Sequence, residues 1–157
     1  MAAGNGAMSE SQRRSLTVPA RLESVATCAE FVANCAANAE FSPARVREIE
    51  LIIEEVLVNI CRHAYRDAPG EVEVNCTQSD PQHLFLEVID QGRPFNMLDA
   101  AAPDLKSDVE DRQVGGLGIP LIRALADTMT YRRDGDRNVL RFTVSMARRG
   151  GVLSPQG

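Results

Sequence analysis

The chain has 157 residues, 44% of them hydrophobic, which suits one globular domain with a buried core. Its net charge of −5 at pH 7 gives no basic field for phosphate backbones, and this argues against direct nucleic-acid binding. Because the sequence has neither an apolar run of about eighteen residues nor the apolar segment of a signal peptide, we expect a soluble cytosolic protein without a membrane partner.

The first half of the chain predicts one strand and two helices. We expect a disordered tail over residues 1–14, one folded domain over 15–148 and a second tail over 149–157. Leu16–Pro19 reads as a short strand, and apolar residues recur at helical spacing from Leu22 to Glu40. Ser42 and Pro43 then have the residue types of an N-cap and a first helical position, so a second helix is predicted from there to about His63.

The second half predicts two strand pairs that flank an irregular stretch and a helix. Alternating apolar residues at 72–76 and 84–88 predict one antiparallel pair, and residues 129–133 and 139–146 predict another. Residues 92–115 are too long for an ordinary connection and predict a functional lid, and a helix follows at 117–126. The expected fold is an α/β (α+β) two-layer sandwich, with a mixed, mostly antiparallel sheet and three helices on one face.

Three polar residues of the second helix are candidates for chemistry. Glu55, Asn59 and His63 follow at intervals of four and therefore lie on one side of the predicted helix. The amide oxygen of Asn59 is a suitable Mg²⁺ ligand, and the carboxylate of Glu55 can accept a proton from an attacking hydroxyl. The alternative is a solvated polar stripe without a function.

An aspartate at the end of a predicted strand and a glycine two residues later form a second candidate. Asp90 can accept a hydrogen bond from an exocyclic amine such as that of adenine, and Gly92 lets a flat base approach the backbone. The alternative is an ordinary turn, since aspartate and glycine are common turn residues.

Glycines that lead directly into the third predicted helix form a third candidate. Gly116 and Gly118 expose backbone amides at a helix N-terminus, where a phosphate can bind. A flexible hinge is the alternative. The single lysine, Lys106, follows no glycine-rich turn, which excludes a P-loop, and position 121 is leucine, which disfavours a dinucleotide fingerprint.

The four cysteines give no sign of a metal site. Cys28, Cys35, Cys61 and Cys76 lack the short spacing that brings two thiolates to one metal ion. We interpret them as reduced core residues.

Taken in order, these segments resemble the nucleotide-binding motifs of the GHKL ATPase superfamily. The similarity rests on Glu54–Asn59 with His63 after it, on Asp90–Phe95 and on Gly115–Ile119. Within the superfamily, the chain is most similar to the serine kinase anti-sigma factors of the RsbW type. That resemblance implies a Bergerat-type ATP-binding fold that spans nearly the whole chain.

The resemblance also implies a role for each motif residue. Glu55 would be the general base and Asn59 the Mg²⁺ ligand, and the residues assigned to ATP binding would be Asn59, His63, Asp90, Gly92, Arg112, Gly116, Gly118 and Thr130. Among these, Arg112 would reach the γ-phosphate from the end of the lid. Many superfamily members have a Gly-Thr pair in the last hairpin, which this chain replaces with other residues. The hydrogen bond near the base is therefore either missing or supplied by Thr130.

The function implied by the resemblance is an ATP- and Mg²⁺-dependent protein serine/threonine kinase. It would hold a sigma factor, phosphorylate an anti-sigma-factor antagonist and form a homodimer. Two alternatives stay open: a non-catalytic nucleotide-binding module, and a stand-alone histidine kinase catalytic domain that acts on another chain. A fused histidine kinase is excluded by length.

Overall fold

A single antiparallel sheet forms one layer of the molecule. The computed structural model describes residues 13–66, 68–99 and 118–147. The five strands within these ranges are β1 (Arg13–Pro19), β2 (Glu71–Asp80), β3 (His83–Asp90), β4 (Thr128–Asp134) and β5 (Arg137–Ser145). Their order across the sheet is β1-β2-β3-β5-β4.

The sheet differs in one respect from the predicted mixed sheet, because all four strand pairings are antiparallel. β5 runs antiparallel to both β3 and β4, so β3 and β4 run parallel to each other but are separated by β5. The connection from β3 to β4 is thus a crossover between two parallel strands. The final hairpin then places β5 between them.

Within the described residues, three α-helices form the second layer, as predicted. They are α1 (Val25–Asn38), α2 (Pro43–Asn59) and α3 (Gly118–Leu125), and one-turn 3₁₀ segments lie at Leu22–Ser24 and Met97–Asp99. The predicted cap of α2 is confirmed, since the Ser42 hydroxyl accepts a hydrogen bond from the backbone N–H of Arg45 at 3.2 Å. Within the described ranges, no helix is both long and apolar enough to cross a bilayer.

The second helix ends in a π-helical turn. This turn covers Ile60–Ala64, and the N–H of Tyr65 bonds the carbonyl of Ile60 five residues earlier, at 3.2 Å. The helix thus extends to the predicted end near His63, but its last turn is wider than an α-helical one. Turns of this kind occur often at functional sites.

The core lies between the sheet and the helices. Alternate residues of the inner strands point toward the helices, as the period-two pattern predicts. These residues are Val72, Val74 and Cys76 on β2, Leu84, Leu86 and Val88 on β3, and Leu140, Phe142 and Val144 on β5. The helices cover them with residues that include Val32, Ile49, Ile53, Val56 and Ile122.

A buried arginine fixes α3 relative to α2 and the sheet. Arg45, only 3% exposed, donates from its guanidinium to the carbonyl of Leu125 at 2.9 Å and to that of Ser145 at 2.8 Å. It also forms an ion pair with Glu48 at 2.7 Å. The end of α3 and the end of β5 are therefore both held at the first turn of α2.

Candidate functional site

The second half of α2 places the predicted general base and the predicted metal ligand one turn apart. The side-chain N–H of Asn59 donates to the backbone carbonyl of Glu55 at 2.8 Å, which confirms that the two residues share a side of the helix. Asn59 is only 4% exposed, so it does not belong to a solvated polar stripe. This bond uses one of the two amide hydrogens, and the amide oxygen is the acceptor that Asn59 can offer to a ligand.

The carboxylate of Glu55 lies against the start of α3. A Cβ atom built on Gly118 would overlap Oε2 of Glu55. Residue 118 must therefore be glycine if Glu55 is to keep this position. Two residues that are 63 positions apart in sequence, the predicted base and a predicted phosphate-loop glycine, are thus neighbours in the fold.

Asp90 ends β3 inside the core and is held by hydrogen bonds. Its Oδ1 accepts from the backbone N–H of Gly92 at 2.9 Å and from the side-chain amide of Asn138 at 2.8 Å. Burial raises the pKa of Asp90, while the bonds from Asn138 and Gly92 and the charge of Arg133 oppose the rise. The carboxyl group is therefore a fixed acceptor in a largely dry environment.

Asn138 is the functional residue that the sequence reasoning missed. Its Nδ2 donates to Asp90 and to the carbonyl of Arg93, and its Oδ1 accepts from Tyr131, Arg133 and the N–H of Phe95. These five partners fix the orientation of the amide, because its Nδ2 faces two acceptors and its Oδ1 faces three donors. The sequence did indicate that this side chain faces the core. Position 138 is an even number of residues from the core residues Leu140, Phe142 and Val144, and alternate residues of a strand point to the same face.

Thr130 does not lie beside Asp90, and this prediction was wrong. Met129 and Tyr131 pack against the core, so Thr130, between them on β4, points to the opposite face of the sheet. There it lines an open cleft of about 450 Å³ together with Phe85 and Arg141. Asn138, not Thr130, donates a side-chain hydrogen bond to Asp90, at 2.8 Å.

Gly92 is required for a packing contact that the sequence did not predict. A Cβ at this position would lie 2.7 Å from the carbonyl oxygen of Ala64, at the end of the π-helical turn. The next residue, Arg93, donates its N–H to the same oxygen at 3.0 Å. The glycine thus lets the segment after β3 pack directly on the helix, so packing alone accounts for the residue type.

His63 connects the same helical turn to the segment after β3. Its ring stacks on Phe95 with centroids 5.1 Å apart, and its carbonyl accepts from the Arg93 side chain at 2.6 Å. Partial burial, followed by the charges of Arg93, Arg62 and Arg66, lowers the pKa of His63. The lowered pKa favours the neutral form of the ring.

The structure therefore brings the predicted residues together at two positions along one helix. Glu55, Asn59 and Gly118 lie at one position, and Asp90, Gly92 and His63 lie near the end of the π turn. Residues 55 and 64 are separated by about 13 Å along the helix axis at 1.5 Å per residue. Arg112, Gly116 and most of the predicted lid lie outside the described residues.

Comparison with known proteins finds curated relatives of the chain. The chain is 28% identical over 137 residues to serine-protein kinase RsbW of Bacillus cereus strain AH187, which covers 85% of each chain. It has the same identity and coverage with serine-protein kinase RsbW of Bacillus anthracis and of Bacillus thuringiensis strain Al Hakam.

A solved structure and a family model also match. The histidine kinase domain of the Erythrobacter litoralis EL346 blue-light activated histidine kinase superposes with a TM-score of 0.48 at 18% identity, over 82% of this chain and 62% of that one. The family model described as the histidine kinase-like ATPase domain matches residues 18–144. The chain therefore belongs to the histidine kinase-like ATPase domain family.

Proposed function

We propose that the protein is an ATP-dependent serine/threonine kinase and that it transfers phosphate to a partner protein. The observation that carries this proposal is the contact between the Glu55 carboxylate and Gly118 at the N-terminus of α3. The contact supports the proposal because a carboxylate can accept a proton and because the backbone amides of a helix start favour a phosphate. The similarity to serine-protein kinases named RsbW supports the same activity.

The residues fit a nucleotide with Mg²⁺ along α2. Asn59 would offer its amide oxygen to the metal, which usually binds one or two protein ligands together with substrate phosphates. Both hydrogen bonds that the described residues give Asp90 end on Oδ1, so Oδ2 is the oxygen that an adenine amine would meet. His63 and Phe95 would provide an aromatic surface beside the base.

In the proposed reaction, Glu55 takes the proton of a serine or threonine hydroxyl. The hydroxyl oxygen forms a bond to the γ-phosphorus, the bond between that phosphorus and the β,γ-bridging oxygen breaks, and ADP leaves. Bound Mg²⁺ would neutralise phosphate charge. We further propose that Gly116 and Gly118 contact the phosphates and that Arg112 reaches the γ-phosphate.

We propose that the partners are a sigma factor and an anti-sigma-factor antagonist, the second being the phosphate acceptor, and that the protein acts as a homodimer. The support is the similarity to the RsbW-type kinases. Co-purification with the sigma factors of the same genome, with light scattering of the complex, tests both points. A chain that stays monomeric and retains no sigma factor would contradict them.

The decisive experiment is calorimetry of ATP binding with and without Mg²⁺. We expect binding that requires Mg²⁺ and that weakens by about tenfold or more in Asp90→Ala, because a hydrogen bond to a charged group contributes about 1.5–3 kcal/mol. Asp136→Ala, in the exposed turn between β4 and β5, is the matched control and keeps full affinity. Circular dichroism confirms that each variant is folded.

Three results would contradict the proposal. Absence of ATP binding at millimolar concentration would exclude a kinase and leave a partner-binding module. Binding without phosphate transfer to any antagonist would favour the non-catalytic nucleotide-binding module. If phosphate appears instead on a histidine of another chain, the protein is a histidine kinase catalytic domain.

A further inference from the structure

Two cysteines and an arginine share a cleft that the nucleotide site does not use. Arg14 on β1 is paired with Cys76 on β2, so their side chains lie on the same face of the sheet, and Cys35 reaches them from α1. Together they line a cavity of about 300 Å³. The exposed residues Arg14 and Asn38 also line it, so the cavity opens to solvent.

The two thiols of this cleft differ in acidity. Each thiol has the largest influence on the pKa of the other, and the guanidinium of Arg14 also acts on the pKa of Cys35. The hydrogen bond from Cys76, aided by Arg14, lowers the pKa of Cys35 against the effect of burial. The same hydrogen bond and burial raise the pKa of Cys76. Cys35 is therefore the more acidic of the two thiols.

The other two cysteines form an internal comparison. Cys28, about two helical turns before Cys35 on α1, is fully buried, and burial followed by the influence of Cys61 raises its pKa to about 11. Neither Cys28 nor Cys61 lines the cleft. A reagent that reacts preferentially with ionised, solvent-accessible thiols should therefore modify Cys35 faster than Cys28.

We propose that Cys35 and Cys76 are an oxidisable dithiol that closes a reversible disulfide between α1 and β2. The oxidant is a hydroperoxide such as hydrogen peroxide. The thiolate of Cys35 attacks one peroxide oxygen, the O–O bond breaks, and a sulfenic acid and hydroxide form; the hydroxide takes up the proton lost by Cys35 and leaves as water.

The second step closes the bond. The sulfur of Cys76 attacks the sulfenic sulfur, the S–O bond breaks, and the departing oxygen leaves as a second water with the proton of Cys76. The two thiols are oxidised by two electrons in total, and one peroxide is reduced to two waters. A dithiol reductant reverses the change by thiol–disulfide exchange. This site and its chemistry do not depend on the proposed kinase activity.

The test is peroxide oxidation of the full chain, followed by peptide mapping under non-reducing conditions. We expect the loss of two hydrogen masses, a peptide pair joined through Cys35 and Cys76, and complete reversal by dithiothreitol. In the reduced protein at pH 7, iodoacetamide should label Cys35 at least about tenfold faster than Cys28. The wild-type map needs no variant, so a folding defect cannot obscure it.

Variants sharpen the result. Cys35→Ser should abolish the disulfide, whereas Cys28→Ser, the matched change on the same helix, should leave it intact. Arg14→Gln should slow oxidation at pH 7 and give the same product. A disulfide between Cys28 and Cys61, a cross-link between two chains, or overoxidation of Cys35 to the sulfinic acid without any disulfide would each overturn the proposal.

Discussion

The two ends of the candidate site are built in opposite ways. At the base end, where the nucleobase would lie, Asp90 accepts a hydrogen bond from Asn138. Asn138 also bonds β4 and the segment after β3. At the phosphate end, the half-buried Glu55 carboxylate keeps its place because Gly118 has no side chain. Hydrogen bonds hold the base end in place. The phosphate end depends instead on the missing Cβ of Gly118, which leaves room for the Glu55 carboxylate.

Because of this difference, substitutions at one end should affect stability and affinity together, and substitutions at the other end should affect activity alone. At the base end, the groups that would bind the nucleotide also satisfy buried polar atoms, so their loss costs folding free energy as well as affinity. At the phosphate end, the carboxylate can be changed with little effect on the core. We therefore measure both the free energy of unfolding and the activity for each substitution.

The largest effect is expected from Glu55→Gln, which keeps the shape of the side chain and removes the proton acceptor. Phosphate transfer should fall by about 10²–10⁴-fold, the usual contribution of a general base, while ATP affinity and the free energy of unfolding stay close to wild type. Single-turnover transfer of labelled phosphate to an antagonist protein from the same genome measures the first, and calorimetry and urea denaturation measure the others.

Glu54→Gln is the matched control, because Glu54 precedes Glu55 on the same helix and is also half-buried. It should transfer phosphate at the wild-type rate. Equal losses in the two variants would assign the effect to the helix rather than to a base at position 55.

Gly118→Ala should have the next largest effect. The added Cβ would overlap the Glu55 carboxylate and displace it, and a shift of about 1 Å in a catalytic group can cost about 10²-fold in rate. The carboxylate is the free end of a side chain and can move, so the free energy of unfolding should change little. The same transfer assay and urea denaturation give both quantities.

Gly92→Ala is the informative comparison for Gly118→Ala. Its Cβ would meet the backbone carbonyl of Ala64 at 2.7 Å, and backbone cannot move aside as a side chain does. We expect a loss of about 1–3 kcal/mol in the free energy of unfolding, as for other overpacked sites. If Gly118→Ala destabilises the protein as much as Gly92→Ala does, the contrast between the two ends does not hold.

Asn138→Ala tests the base end directly. The substitution leaves the buried donors and acceptors around Asp90 without their common partner, which should cost about 2–3 kcal/mol of stability. ATP affinity should fall with it. Urea denaturation checks the first effect, and Asn34→Ala, at an exposed position of α1, should stay near wild type. A stable Asn138→Ala protein would show that the network does not hold this end together.

Local features of the site could be predicted from the sequence. The cap at Ser42 and the pairing of Glu55 with Asn59 depend on residues within one helical turn, and helical spacing specifies such contacts. The antiparallel hairpins followed from alternating apolar residues. The order of the motifs along the chain indicated the family.

Long-range features could not be predicted in the same way. The role of Asn138 depends on the register that pairs it with Asp90, 48 residues earlier, and no local pattern specifies that register. The contact of Gly92 with Ala64 depends on the π turn, since Ala64 is the last residue of that turn. Thr130 is different, because the apolar residues on either side of it already indicated the opposite face of the sheet.

The smallest effect concerns the pH dependence of stability at Asp90. Since burial raises its pKa in the folded state, the unfolded chain loses this proton first as the pH rises above the ordinary value of 3.8. The contribution of Asp90 to stability is therefore fully present below that value and is lost as the pH rises through the folded pKa. Urea denaturation of wild type and Asp90→Asn from pH 4 to 8 should show the wild type losing stability relative to the variant and then levelling off. The opposite slope would mean that the bonds from Asn138 and Gly92 and the charge of Arg133 outweigh burial, and the base end would then be an anion site rather than a dry acceptor.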